Sequence, residues 1–329
     1  MNYRYKRLLV TGGAGFIGSA FIRYLLSHPG VCEKVVNVDS LTYAADLSCL
    51  TMYEQNPHYV FVQGDIRDEE LIGRLCVDHE IDVIVHFAAE THVDRSILGP
   101  KEFVQTNVAG TVALLEVIRK YPHIHFHHIS TDEVYGSREV GYFNEKSPYN
   151  PSSPYSASKA ASDHFVHAYA HTYGLSYTMS HCTNNYRPCQ HQEKLIPKVI
   201  HALLHKQEIP LYGTGMNMRD WLFVDDHVEA IFTILQKGAK GSCYGISSGR
   251  EESNWSIIHK LIALFASLFG ESEMELRSLI RLVEDRKGHD FRYALSYEKL
   301  SQDLGWAPSH TLEEGLKETV LWYAQKVSV

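Results

Sequence analysis

A run of glycines between an apolar strand and a helix constrains this chain more than any other feature. Leu8-Leu9-Val10 reads as the strand. Gly12-Gly13-Ala14-Gly15-Phe16-Ile17-Gly18 follows it and opens a helix that continues to about residue 28. The glycines at 12, 15 and 18 have G-x-x-G-x-x-G spacing. Lacking a Cβ, they permit a tight turn and let the backbone approach a pyrophosphate, whose charge the helix N-terminus stabilises. A plain glycine turn has the same look, so the context decides. Asp39 ends the next apolar strand, Lys34-Val35-Val36-Asn37-Val38. A carboxylate there accepts hydrogen bonds from an adenosine ribose and repels a 2′-phosphate. Ser40 and Leu41 come next rather than an arginine, which favours NAD over NADP.

Short β-rich runs continue at Tyr59-Val60-Phe61-Val62, Asp82–Phe87 and Ile124–Ile129, with helical stretches between them. This alternation predicts an α/β fold: a doubly wound parallel sheet of Rossmann type, helices on both faces. Asp65 and Ile66, after the third strand, are placed to touch the adenine; the competing reading makes Asp65 a helix N-cap. Beyond about residue 180 the pattern loosens into short strands, turns and helices, among them Trp255–Phe269 and Leu312–Lys326. We expect an NAD-binding part at 1–180 with a returning segment near 211–243. A smaller C-terminal substrate-binding lobe would comprise 181–210 and 244–329. Ligands of open α/β sheets bind beyond the strand ends, so that lobe should carry the substrate contacts.

The 329 residues are enough for a large core. A formal charge of −8 gives no electrostatic reason to expect nucleic acid or an anionic membrane as partner. No stretch approaches the roughly 20 apolar residues that span a bilayer, and Met1–Arg7 lacks the apolar segment of a signal peptide. The six cysteines (Cys32, Cys49, Cys76, Cys182, Cys189, Cys243) include no CxxC pair. Their spread predicts reduced thiols and a cytoplasmic protein. His123, His125 and His127 alternate along one predicted strand, but no carboxylate or cysteine completes a metal set at a recognisable spacing, so none is expected. His167 and His171, one helical turn apart, are read as solvent-facing, and Tyr169 and Tyr173 as packing residues.

Two further groups carry chemistry. Tyr155 and Lys159 are i and i+4 in a helix starting near Ser153, so they share a face. An ammonium beside a phenol lowers its pKa and equips the tyrosinate to take an alcohol proton as hydride leaves the carbon. Upstream, Thr131-Asp132-Glu133 sets a hydroxyl beside two consecutive carboxylates. The first pair points to oxidation of an alcohol, the second to a further step on the same substrate. Dehydration needs both. Neighbouring carboxylates can hold one acid and one base, because one charge raises the pKa of the other.

With these residues in hand, the chain resembles the extended short-chain dehydrogenase/reductases. It is closely similar to the nucleotide-sugar 4,6-dehydratases of the dTDP-glucose 4,6-dehydratase type. The similarity runs nearly end to end, through GGAGFIGS, VNVDSLTYA, HFAAETHVDRS, TNVAGT, HISTDEVYG, SPYSASKA, EKLIP, MRDWLFVDDH, DRKGHDFRY and LGW. The resemblance implies conversion of dTDP-glucose to its 4-keto-6-deoxy form. Tyr155 takes the O4 proton with Thr131 tuning it, Glu133 removes the C5 proton, and Asp132 protonates the departing O6 hydroxyl. NAD is recycled, so the enzyme would be a lyase. The resemblance also implies that Phe16, Ile17 and Ala88 contact the cofactor, and that Arg219, Arg286 and His289 hold the nucleotide diphosphate. Asn185, Glu193 and Lys194 match a loop that holds sugar and phosphates.

That loop departs from the family's N-N-Y-G-P pattern, reading Asn184-Asn185-Tyr186-Arg187-Pro188-Cys189-Gln190-His191-Gln192. Arg187 replaces a glycine and is expected to add a charge beside the pocket, and Lys287 stands where proline is common. UDP-N-acetylglucosamine or UDP-glucose is therefore an alternative substrate, and a 4-epimerase using the same Tyr155, Lys159 and NAD an alternative reaction. A reductase consuming NADPH runs against Asp39, and a dinucleotide sensor without chemistry would not need Tyr155 or Lys159. A homodimer is expected through helices near 101–120 and 154–173, whose apolar faces include Val104, Val108, Val112 and Leu115.

Overall fold

A computed structural model of the protein describes residues 3–327, so Met1 and Asn2 of the N-terminal reading lie outside the described residues. The strands are β1 (Arg7–Thr11), β2 (Lys34–Asp39), β3 (Tyr59–Gln63), β4 (Val83–His86), β5 (His125–Thr131) and β6 (Tyr177–Cys182). They continue with β7 (Asn184–Tyr186), β8 (Ile209–Tyr212), β9 (Met218–Phe223), β10 (Cys243–Ile246), β11 (Glu251–Ser253) and β12 (Ile280–Val283). The order β10-β6-β5-β4-β1-β2-β3 makes one seven-stranded sheet, parallel throughout. The expected doubly wound sheet is thus present.

Side chains alternate across it. Leu8 and Val10 of β1 pack with Phe21, Ile22, Val228 and Ile231 on one face. Leu9 turns to the other face, with Val36, Ile84, Leu114 and Ile118. Burying such a side chain contributes about 1.5–3 kcal/mol, and a strand covered on both faces reads as a continuous apolar run. Leu115, assigned above to an exposed apolar face, is 1% exposed and belongs to this core. The segment near 101–120 is itself broken: Pro100–Phe103 is α-helical, Val104–Ala109 a π-helical turn, and Gly110–Lys120 α-helical again.

Helix Pro154–Tyr173 starts where Ser153 and Ser156 cap each other's backbone, with proline at its first turn, and stops at Gly174 (φ 71°). β9 pairs with β7 and β11, and β8 with β12. Residues 209–223 therefore sit with the smaller sheets, while helix Val224–Lys237 packs on helix Phe16–Ser27 and β10 rejoins the large sheet. A second core gathers Ile196, Ile200, Trp221, Ile258, Leu261 and Leu316.

Two local readings change. His123 precedes β5 rather than lying on it, while His125 and His127, which do lie on it, are hydrogen-bonded to the Ser176 and Thr178 hydroxyls. Tyr173 is 51% exposed, although its ring packs edge-on against the partly buried Tyr169 with centres 5.1 Å apart. The expectation of six reduced thiols is also overturned, because Cys49 and Cys189 are paired as a disulfide. Spacing could not reveal a pair that two distant loops bring together.

Candidate active site

The carboxyl ends of β1, β2, β4, β5 and β6 open into a cavity of about 430 Å³. Gly12, Gly15, Phe16, Ile17, Gly18, Asp39, Asp65, Ile66 and Ala88 all line it. So do Thr131, Asp132, Glu133, Tyr155, Lys159, Asn185, Glu193 and Lys194. Gly12 has φ 70°, and a Cβ there would meet the Ala88 backbone at 2.5 Å. A Cβ on Gly18 would strike the Gly12 carbonyl. Glycine at 12 and 18 is therefore required by close backbone packing around the turn, and the turn so formed lines the cavity where a pyrophosphate would lie.

Asp39 accepts from the Ala14 N–H (2.9 Å) and the Leu41 N–H (2.8 Å). Burial raises its pKa, and these two bonds work against that rise. A carboxylate offers about four acceptor positions, so two remain for ribose hydroxyls. Asp65 is not the N-cap of the next helix: Asp68 takes that role, accepting from the Leu71 N–H at 2.9 Å.

At the chemical end, β5 finishes at Thr131 and a 3-10 turn, Asp132–Tyr135, follows. Thr131 Oγ1 accepts from the Glu133 N–H (3.3 Å) and donates to Asp132 Oδ1 (3.4 Å). Lys159 Nζ donates to the Ile129 carbonyl (2.7 Å). Asn107 was not singled out from sequence, yet its amide fixes this wall. Nδ2 donates to Ser158 Oγ (2.8 Å), and Oδ1 accepts from the Glu90 N–H (2.8 Å). Its signal was the π-helical turn, which shows only in three dimensions.

The acids differ in their surroundings. Asp132 is pushed well above the usual carboxylate pKa by burial and by the Glu133 and Asp220 charges. Its Oδ2 is buried without a hydrogen-bond partner. Glu133 is raised by burial too, but Arg219, Lys194 and Arg286 all favour its charged form. Tyr155 is pushed well up by burial and then by the Glu133 charge, with a Thr131 hydrogen bond opposing. Burial lowers Lys159, and the Asp163 charge counters it. Burial alone would raise Asp163, yet bonds to His128 and His181 (3.0 Å each) outweigh it and hold the carboxyl below its usual range.

Arg219, Arg286 and His289 do not line the cavity. Arg219 donates to the Met218 (2.7 Å) and Asp290 (2.9 Å) carbonyls. Arg286 Nη2 donates to Asp94 Oδ2 at 3.2 Å, and His289 Nδ1 lies 2.7 Å from Asp285 Oδ1. Both arginines still act on Glu133 through their charge. The charge expected beside the pocket from Arg187 is elsewhere. Its side chain enters a second cavity of about 390 Å³ with Arg23 and Asp225, its Nε 2.9 Å from Asp225 Oδ1 but poorly aimed for a hydrogen bond. Gln190 and His191 are the altered-loop residues that face the main cavity. Lys287 is exposed and outside it.

A parallel sheet in this order, with a glycine cradle after β1 and a Tyr/Lys pair at the far wall, defines a Rossmann protein of the extended short-chain dehydrogenase/reductase kind. Within that class the chain belongs to the GDP-mannose 4,6 dehydratase family, which matches residues 9–319. A dTDP-glucose 4,6-dehydratase of Haemophilus influenzae is 46% identical, covering 96% of this chain and 97% of the relative. One from Xanthomonas campestris is 49% identical over 96% of this chain and 92% of the relative. The crystal structure of a dTDP-glucose 4,6-dehydratase from Streptomyces venezuelae, with NAD bound, superposes with TM-score 0.91 at 45% identity, covering 98% of each chain. The UDP-glucose 4-epimerase of Thermotoga maritima gives 0.86 at 29% identity, covering 98% of this chain and 99% of the epimerase. The scaffold is thus shared between dehydratases and epimerases.

Proposed function

We propose that this protein is an NAD-dependent dTDP-glucose 4,6-dehydratase, a hydro-lyase. The observation that carries the reading is that Asp132 and Glu133 line the same cavity as Tyr155 and Lys159. An epimerase on this scaffold has no use for a second acid and base.

NAD fits the cradle of Gly12, Gly15, Phe16, Ile17 and Gly18, with Asp39 on the ribose and Asp65, Ile66 and Ala88 beside it. When bound, it supplies an acceptor for the C4 hydride and gives the hydride back at C6. Tyr155, which shares the cavity with Lys159 and Thr131, takes the O4 proton; burial raises the pKa of its phenol, and Lys159 does not offset that rise. The 4-keto group then acidifies the C5 hydrogen. Glu133, surrounded by three cations, is the carboxylate that removes that proton. Asp132, whose neutral form burial and the Glu133 charge favour, delivers a proton to the leaving O6 hydroxyl. As the hydride returns to C6, Glu133 gives its proton back to C5, and the sum is loss of one water with no net oxidation.

Asn185, Glu193 and Lys194 hold the hexose and its phosphates in this reading. Arg219, Arg286 and His289 turn from their present partners to the nucleotide diphosphate. Gln190 and His191 on the cavity wall support a second reading, the same reaction on a UDP-hexose. The division of the chain into 1–180 with a returning segment and a lobe at 181–210 and 244–329 belongs to this proposal. Strand pairing favours 224–246 as the return. Among the described residues no helix is long and apolar enough to cross a membrane; a cytoplasmic site of action is part of this proposal. A homodimer is proposed through the faces bearing Val104 (51% exposed), Phe165 (40%) and Tyr173 (51%); a monomer by light scattering refutes it.

The test is incubation of the purified protein with dTDP-glucose, UDP-glucose and UDP-N-acetylglucosamine separately, followed by mass spectrometry. Loss of one water from dTDP-glucose is expected. Loss from a UDP-sugar alone supports the second reading, and an isomer of unchanged mass refutes both.

A further inference from the structure

We propose that Cys49 and Cys189 form a thiol–disulfide exchange site that staples the rim of the NAD cavity and is opened by a dithiol. The residues lie 140 positions apart in sequence with Cα atoms 6.6 Å apart, within the span of a disulfide. Cys49 sits in the 3-10 turn Leu47–Tyr53, directly after the segment whose Thr42, Ala44 and Ala45 line the cavity. Cys189 immediately precedes Gln190 and His191, which line the same cavity. The bond therefore joins two strips of one wall. Each strip is fastened to a functional part of the cavity: the Asp46 N–H donates to the Ala14 carbonyl in the glycine turn (2.8 Å), and Gln190 Nε2 donates to the Asn185 carbonyl (2.8 Å). Across the seam, Tyr43 meets His191 edge-on, with ring centres 5.8 Å apart.

The two sulfurs have opposite electrostatic surroundings. Arg23 Nη1 lies 3.7 Å from Cys189 Sγ, and its Nη2 is buried without a hydrogen-bond partner. Burial and the nearby Arg187 lower the Arg23 pKa to about 10. Cys49 Sγ instead faces Asp46 Oδ2 at 3.7 Å. A thiolate on Cys189 gains a counter-charge, whereas one on Cys49 meets a like charge. Cys189 is thus the better leaving thiolate and Cys49 the sulfur attacked.

The exchange balances in two steps. One thiolate of the dithiol attacks Cys49 Sγ, forming a mixed disulfide and expelling Cys189 as thiolate. The dithiol's second thiolate then attacks its own sulfur in the mixed disulfide, releases Cys49 and closes a cyclic disulfide. Two electrons pass from the dithiol to the protein pair, and the dithiol's two protons are available to the released cysteines. Both cysteines are partly exposed, so a reductant reaches them. Burial pushes the free thiols of Cys76 and Cys182 up to about 12 and that of Cys32 up to about 11, which leaves them unreactive. Cys189 has φ 70°, a conformation that costs a non-glycine residue energy, so opening the bond lets its loop relax away from the cavity.

The experiment alkylates denatured protein after exposure to oxidised dithiothreitol, or to reduced dithiothreitol, and measures NAD release from the native protein in each state. Four alkylated cysteines are expected in the oxidised protein and six in the reduced. NAD release should quicken by roughly tenfold on reduction, the scale of losing order in one or two wall side chains. The double variant C49S/C189S should release NAD at the faster rate in both states. Arg23→Gln should slow reduction by dithiothreitol without altering NAD release from the oxidised protein. Six alkylated cysteines after the oxidised treatment, or equal release rates in the two states, overturn the proposal. It rests on NAD as the ligand of this cavity, and the thiol count tests the exchange separately from that reading.

Discussion

Lys159 Nζ donates to the Ile129 carbonyl across 2.7 Å, joining the helix that carries Tyr155 to the strand that ends in Thr131. The ammonium is thereby pinned three residues before the acid pair, on the strand that presents it. One helix turn and one strand end hold the four groups proposed above to react. The Asp163 carboxylate, held charged by its bonds to His128 and His181, favours the charged form of Lys159.

Tyr155→Phe removes the proton acceptor and keeps the ring. It should lower kcat by about 10²–10⁴-fold, the usual contribution of a positioned acid or base, with unchanged far-ultraviolet circular dichroism. Lys159→Met should fall in the same range. Steady-state rates for both variants check this.

Glu133→Gln separates the two halves of the reaction. Oxidation at C4 needs only Tyr155, Lys159 and NAD, so single-turnover mixing should show reduced nicotinamide accumulating. Water loss should slow by about 10²–10⁴-fold. A variant that dehydrates at the normal rate would remove Glu133 from its role.

Asp132 makes the protein less stable as pH rises. Its folded pKa lies above the unfolded value, so its contribution is complete below the unfolded pKa and is lost as pH climbs through the folded one. Asp220, raised by burial to about 6, acts in the same direction between the unfolded value of 3.8 and that point. Asp132→Asn abolishes one titration. Its Tm should exceed that of the parent at about pH 8, with the difference shrinking toward about pH 4. Calorimetry at both pH values decides it, and a pH-independent difference would contradict the raised pKa.

Asp39→Ala removes the ribose acceptor and the charge that repels a 2′-phosphate. NAD affinity should drop by roughly tenfold or more, in line with about 1.5–3 kcal/mol for a charged hydrogen bond. Relative affinity for NADP should rise. Titration calorimetry with both dinucleotides measures the shift.

Much of this site was legible in the sequence because its signals are local. Gly12 to Gly18 mark one turn, Tyr155 and Lys159 one helix face, and Asp132 and Glu133 one strand end. The doubly wound parallel sheet, though not its strand order, followed from alternating apolar runs. What stayed hidden depends on where distant segments meet. Arg187 looks like a pocket residue by its place in the loop, yet its side chain turns toward Asp225. Arg219 and Arg286 lie outside the cavity lining and reach Glu133 only through their charge. Leu115 has the spacing of an outer face, but the helix break at Val104–Ala109 sits before it and Leu115 itself lies in the core. The Cys49–Cys189 pair spans 140 residues and has no sequence signature.

The most direct test of the central claim follows one hydrogen. dTDP-glucose carrying deuterium at C4 is converted by the enzyme with unlabelled NAD in ordinary water, and the product is read by mass spectrometry and proton NMR. The account predicts a 4-keto product with one water lost and the deuterium moved to C6. Deuterium retained at C4 in a product of unchanged mass, or washed out to solvent, would contradict it.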